Sequence, residues 1–125
     1  HFESIHYHSR YILWMKKMKM KVAFAILPQT TVEHLKEHLP SIDYVLILTV
    51  HPGFYGSRYM PEELRKIKLI KKINPKVNVI VDGGMNPKTI RDAQKAGADL
   101  FISGSYVTES DNPKKRMKEL MKMIA

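Results

Sequence analysis

An aspartate that ends an apolar run and opens onto two glycines, Val79-Ile80-Val81-Asp82-Gly83-Gly84, is the position in this chain best suited to chemistry. A carboxylate there can move a proton or ligate a cation, and the glycines leave backbone N–H groups open to an oxyanion. Two other apolar runs break into glycine in the same way. They are Val45-Leu46-Ile47-Leu48-Thr49-Val50-His51-Pro52-Gly53-Phe54-Tyr55-Gly56 and Leu100-Phe101-Ile102-Ser103-Gly104-Ser105. Three neighbouring strands ending in glycine at one sheet edge make a phosphate pocket, to which Ser105 can add a hydroxyl. The plainer alternatives are an aspartate that caps its turn and glycines that only allow tight strand-to-helix turns.

The elements that must hold these ends follow from periodicity. Tyr11, Trp14, Met15 and Met18 recur at helical spacing and read as a stripe packed on the core. Lys21 to Ile26 reads as a short buried strand, followed by a turn at Leu27-Pro28-Gln29. Thr30 with Glu33 predicts a capping box for a helix through about His38, ended by Pro40-Ser41. The run Val45 to Val50 has no polar alternation and reads as a strand buried on both faces. Pro61 opens the next helix, with Leu64, Ile67, Ile70 and Ile73 inward and Asn74-Pro75 as its stop. Val77 to Val81 is a strand; Asn86 caps and Pro87 starts a helix that Gly97 closes; Leu100 to Ser103 is the last strand. Asn112-Pro113 start a final helix with Met117, Leu120, Met121 and Ile124 on its inner face.

Composition narrows the classes. The chain has 125 residues, the size of one domain, and no cysteine, which excludes disulfides and thiolate metal sites. No apolar run is long enough to span a membrane and the N-terminus lacks a signal-peptide pattern, so a soluble cytosolic protein without membrane partners is expected. The formal charge is +9. Much of that excess is Lys66, Lys68, Lys71, Lys72 and Lys76, read as a solvated helix face and not as a nucleic-acid stripe. His6 and His8 read as surface residues, and His34 and His38, at i, i+4, as a solvated face.

A helix followed by four strand–helix repeats predicts an α/β fold with parallel strands and right-handed crossovers. No G-x-G-x-x-G follows a strand, so a dinucleotide fold is disfavoured; glycines after successive strands suit the phosphate edge of a (β/α) barrel. Here the residues match a family. Thr49-Val50-His51-Pro52-Gly53-Phe54-Tyr55-Gly56, then Val81-Asp82-Gly83-Gly84 and Gly97-Ala98-Asp99 to Gly104-Ser105, resemble ribulose-phosphate 3-epimerase. The resemblance runs from His1 to about Glu119 and covers the C-terminal half of that TIM barrel, about four strands and five helices. His1-Phe2-Glu3-Ser4 resembles the end of the family's fourth strand. Residues 1–125 are therefore expected to form a single half-barrel domain, either lacking the first three to four strands or completed by a second copy as a homo-oligomer.

The resemblance implies interconversion of ribulose 5-phosphate and xylulose 5-phosphate through an enediolate, in the pentose phosphate pathway. It implies two aspartates that transfer protons and, with two histidines, hold a divalent metal (Zn, Fe, Mn or Co). Only Asp82 among those four has a counterpart here, as catalytic residue and metal ligand. Gly53, Phe54, Tyr55, Gly56, Gly83, Gly84, Gly104 and Ser105 match the phosphate turns of a phosphorylated ketose site. The sequence departs from the family pattern at His51, at Leu48 (where a methionine commonly covers the sugar), at Leu27-Pro28-Gln29 and at Tyr55. These departures leave open an epimerase of another ketose phosphate, such as allulose 6-phosphate, or a phosphosugar-binding half-barrel without turnover. A basic nucleic-acid binder is motivated by charge alone.

Overall fold

A computed structural model describes residues 1–53 and 57–125; the expectations on Phe54, Tyr55 and Gly56 lie outside the described residues. Helix α1 (His8–Lys17) precedes strand β1 (Ala23–Ile26), the single-turn helix α2 (Val32–Leu35) and strand β2 (Tyr44–Leu48). A 3-10 turn over Pro61–Leu64 runs into α3 (Arg65–Ile73), followed by β3 (Asn78–Asp82), α4 (Pro87–Ala96) and β4 (Leu100–Ile102). Two helices follow β4: the one-turn α5 (Ser105–Thr108), which periodicity missed, and α6 (Pro113–Ile124).

The four strands are parallel and lie in the order β1-β2-β3-β4. A doubly wound sheet reverses its order at a switch point, whereas a barrel adds each strand beside the last. The helices pack on one side. Phe24, Ile26, Val45, Ile47, Val79 and Val81 point toward them and share one core with Leu35, Ile67, Ile70 and Ile90. The other face carries the in-register row Ala25, Leu46, Ile80 and Leu100. The first three are half-buried and Leu100 is exposed, so the expectation of strands buried on both faces is corrected. An uninterrupted apolar run states that both faces are apolar, and only one of them is covered here.

Other expectations shift for local reasons. The period of α1 is right but its buried side is Ile12; Tyr11 and Trp14 face outward and Met18 is exposed. Only Leu120 of the expected α6 stripe is buried, with Met117, Met121 and Ile124 exposed. The N-cap of α2 is Thr31, in a capping box with His34, not Thr30 with Glu33. The Thr30 hydroxyl instead donates to Glu3, which also accepts from the Leu27 N–H at 2.8 Å. Residues Phe2–Ser4 form a 3-10 turn and not a strand end. Because α2 stops at Leu35, the chain turns before His38 and buries its ring near Phe24 and His8. The half-buried His8 stacks on Phe2 with ring centroids 3.9 Å apart.

Lys66 is not on a solvated face. It is 5% exposed, forms an ion pair with Glu63, and donates to the Pro28 carbonyl at 2.7 Å. Lys71 donates to the Val77 carbonyl at 2.8 Å and pairs with Asp99 at 2.6 Å. Lys66 thus ties the loop leaving β1 to the first turn of α3. A buried charge whose partner is removed costs about 3–5 kcal/mol, far more than an exposed pair. Lys66→Ala is therefore expected to lower unfolding stability by roughly 3 kcal/mol, with Lys72→Ala nearly neutral. Urea unfolding of both variants checks this, and equal midpoints would show that the pair is not buried in solution.

Candidate functional site

Because the strands are parallel, every βα exit lies at one edge, and pairing sets their depth. Leu48, Asp82 and Ile102 are partners in one row across β2, β3 and β4. The carboxylate of Asp82 therefore stands on the open face between two apolar side chains. Burial pushes its pKa above the ordinary 3.8, against a smaller lowering by the Gly83 N–H. A carboxyl raised in this way is a better base near neutral pH than a free aspartate.

Thr49, fully buried, joins the first two exits. Its N–H donates to the Asp82 carbonyl at 2.8 Å, and its hydroxyl faces the carbonyls of Asp82 (2.9 Å) and Gly83 (2.7 Å). Its own carbonyl accepts from Met60 at 2.8 Å, which returns the long loop to the same point. The next turn is fixed by Thr89 of α4, whose hydroxyl donates to the Gly84 carbonyl at 2.7 Å and accepts from Asn86 at 2.9 Å. Ser103 donates to the Met85 carbonyl at 2.8 Å and so ties the end of β4 to the same turn. Thr49 stood inside the quoted motif, but its role needed the strand pairing. Thr89 is the third helical residue after the Asn86 cap, a spacing that could have revealed it.

Gly83 has φ +115°, and a Cβ there would lie 2.7 Å from Val50 Cγ2 and 3.1 Å from the Val50 nitrogen. A side chain is excluded twice, by backbone conformation and by space. Gly104 is different: its φ is −93° and nothing lies within 4 Å of a built Cβ. It needs no glycine for packing, so its value is the open approach it leaves.

Asp82, Gly83, Gly84, Gly104 and Ser105 line one cavity of about 430 Å³, together with Met85, Asn86, Ile102, Tyr106 and Glu109. Two of the three expected turns are thus brought together with the aspartate. Gly53 does not line this cavity; it is exposed, with φ +91° and open space around it. Phe54, Tyr55 and Gly56 lie outside the described residues. Among the described residues no group of three His, Cys, Asp or Glu could hold a metal ion. The donors present do not fit a metal beyond the single carboxylate of Asp82. No described helix is long and apolar enough to cross a membrane.

One consequence of the raised Asp82 pKa is thermodynamic. A carboxyl that binds its proton more tightly when folded lowers stability once pH rises above its unfolded value. Asp82→Asn removes that penalty, so the variant should have the higher urea midpoint at pH 7. The advantage should fade as pH falls below 3.8, the ordinary aspartate value. A variant less stable than wild type at pH 7 would contradict desolvation as the cause.

Comparison with known proteins agrees with this arrangement. The chain is 34% identical over 124 residues to a ribulose-phosphate 3-epimerase of Schizosaccharomyces pombe, covering 99% of this chain and 54% of that protein. It is 36% identical over 118 residues to the Helicobacter pylori protein of the same name, covering 91% of this chain and 54% of the relative. The chain thus spans about half the length of these curated relatives. Among solved structures, a 3-hexulose-6-phosphate synthase from Salmonella typhimurium superposes with TM-score 0.72 at 19% identity, over 90% of this chain and 53% of that one. KGPDC from Streptococcus mutans superposes with TM-score 0.66 at 18% identity, over 92% and 51%. At such identities the likeness shows the fold, and these neighbours are TIM-barrel proteins. The model of the ribulose-phosphate 3 epimerase family matches residues 1–108, and the chain belongs to that family.

Proposed function

We propose that this chain supplies the phosphate grip and one acid/base group of an epimerase acting on a phosphorylated ketose, ribulose 5-phosphate first among them. The observation that carries the reading is the single cavity shared by Asp82 and the glycine turns after β3 and β4. In this reading residues 1–125 are a half-barrel domain of a cytosolic enzyme of the pentose phosphate pathway. Phosphate oxygens meet the backbone N–H groups of Gly83, Gly84, Gly104 and Ser105, with Gly53, Phe54, Tyr55 and Gly56 as the third turn.

With the phosphate held, the Asp82 carboxylate takes the proton from C3, and the C–H electrons pass into the enediolate toward the adjacent carbonyl. Reprotonation from the same face regenerates the starting sugar, so inversion needs a second acid on the opposite face. The family resemblance implies that this acid and a divalent metal belong to the complete site. A metal would steady the enediolate oxygens, and Asp82 is the ligand this chain would contribute to it.

The absence of a three-donor cluster among the described residues favours a second reading, a half-barrel that binds phosphosugar without turnover. One experiment separates the two. Ribulose 5-phosphate in D2O is incubated with the chain and an added divalent metal, with deuterium at C3 and the amide spectrum both followed. Exchange that disappears in Asp82→Asn, with shifts at Gly83 and Gly104 retained, supports the epimerase reading. Amide shifts without C3 exchange support the binding reading, and absence of both contradicts the phosphate grip itself.

A further inference from the structure

The Gly104–Ser105 turn is the exposed end of a three-residue strand at the sheet's edge, followed by a single helical turn. On the β3 side it is held by Ser103. On the other side the hold comes from Tyr106, the residue directly after Ser105. Its ring lines the cavity shared with Asp82, while its hydroxyl leaves the cavity and donates to Glu119 Oε2 of α6 at 2.9 Å. Arg116, one turn earlier on α6, donates to that hydroxyl at 3.0 Å and to the same Glu119 oxygen at 3.1 Å. Its guanidinium carbon stands 5.0 Å from the centre of the Tyr106 ring. The phenol is thus held by three distinct contacts: an acceptor, a donor and a cation over its face.

Resting on the phosphate reading above, we propose that Arg116 and Glu119 are positioning residues: through Tyr106 they hold the Gly104–Ser105 turn in the conformation that receives the anion. Neither lines the cavity described around Asp82. α6 therefore acts on the site by way of one side chain. The direction of the local titrations agrees with a closed cluster. The Tyr106 hydroxyl and the Arg116 guanidinium hold the Glu119 carboxyl below its ordinary value, and burial with the Glu119 hydrogen bond pushes the Tyr106 phenol up. Arg116 and Glu119 are 43% and 40% exposed in their side chains, so either is replaceable without emptying the core.

The alternative is that Arg116 only adds positive charge near an anion site, and the two ideas differ in sign. Glu119→Gln makes the chain more positive: simple attraction predicts tighter phosphate binding, whereas loss of positioning predicts weaker binding. The experiment titrates inorganic phosphate into the wild-type chain and into Glu119→Gln, Tyr106→Phe and Arg116→Ala. Amide shifts at Gly83, Gly84, Gly104 and Ser105 are followed beside thermal melting. Positioning predicts roughly tenfold weaker binding in Glu119→Gln and in the charge-neutral Tyr106→Phe, the size of one lost hydrogen bond, with melting unchanged. Unchanged or tighter binding in Glu119→Gln overturns the inference while leaving the phosphate reading intact. A wild-type chain whose glycine amides ignore phosphate overturns the reading itself and the inference with it.

Discussion

The contact on which the site depends is the one between Thr49 and the peptide groups of Asp82 and Gly83. In a parallel sheet the ladder ends where strands end, and each exit is then free to choose its own path. Here the N–H and hydroxyl of a fully buried threonine carry the β2–β3 pairing one residue past the sheet, onto the carbonyls flanking the turn. A buried hydroxyl that lost these acceptors would leave carbonyls unsatisfied, which costs about 1–3 kcal/mol per group. The orientation of the Asp82 carboxylate and the left-handed conformation of Gly83 both follow from that bond pattern.

The sheet has two unlike faces, and function belongs to their meeting line. The helix-facing residues are packed to near-zero exposure, which makes the edge rigid. The open face is apolar at mid-height, with Ala25, Leu46, Ile80 and Leu100, and becomes polar only where Asp82 replaces an aliphatic residue in the last row. A carboxylate in that setting is poorly solvated, and the stability it gives up is what makes it a usable base. The same edge is reinforced from outside by the buried Glu63–Lys66 pair and by the Tyr106 cluster, each binding a loop to a helix.

Much of this was legible in the sequence, for identifiable reasons. Glycine exits, the Asn86-Pro87 start and the Gly97 stop are local backbone chemistry, and the structure places them at the expected residues. Strand order followed from alternation and the absence of a dinucleotide fingerprint. What was not legible depended on which apolar or charged side chain finds cover. Tyr11 and Trp14 keep helical spacing yet face outward, because Ile12 is the residue directed at the core. Lys66 reads as a surface residue by type but is buried because Glu63 lies one turn before it and Pro28 opposite. His38 turns inward because α2 ends early, a length that propensity did not disclose. At the site, Asp82 and the second and third glycine turns converge, whereas Gly53 stands apart from the cavity.

The most direct test of this account is amide hydrogen exchange at Thr49. If the threonine bond continues the sheet past its last ladder position, the Thr49 N–H should be protected to within about tenfold of Ile47, in the middle of β2. Exchange at the rate of the exposed loop at His51 would mean that the two exits are not joined, and that nothing in this chain fixes Asp82 against its phosphate turns.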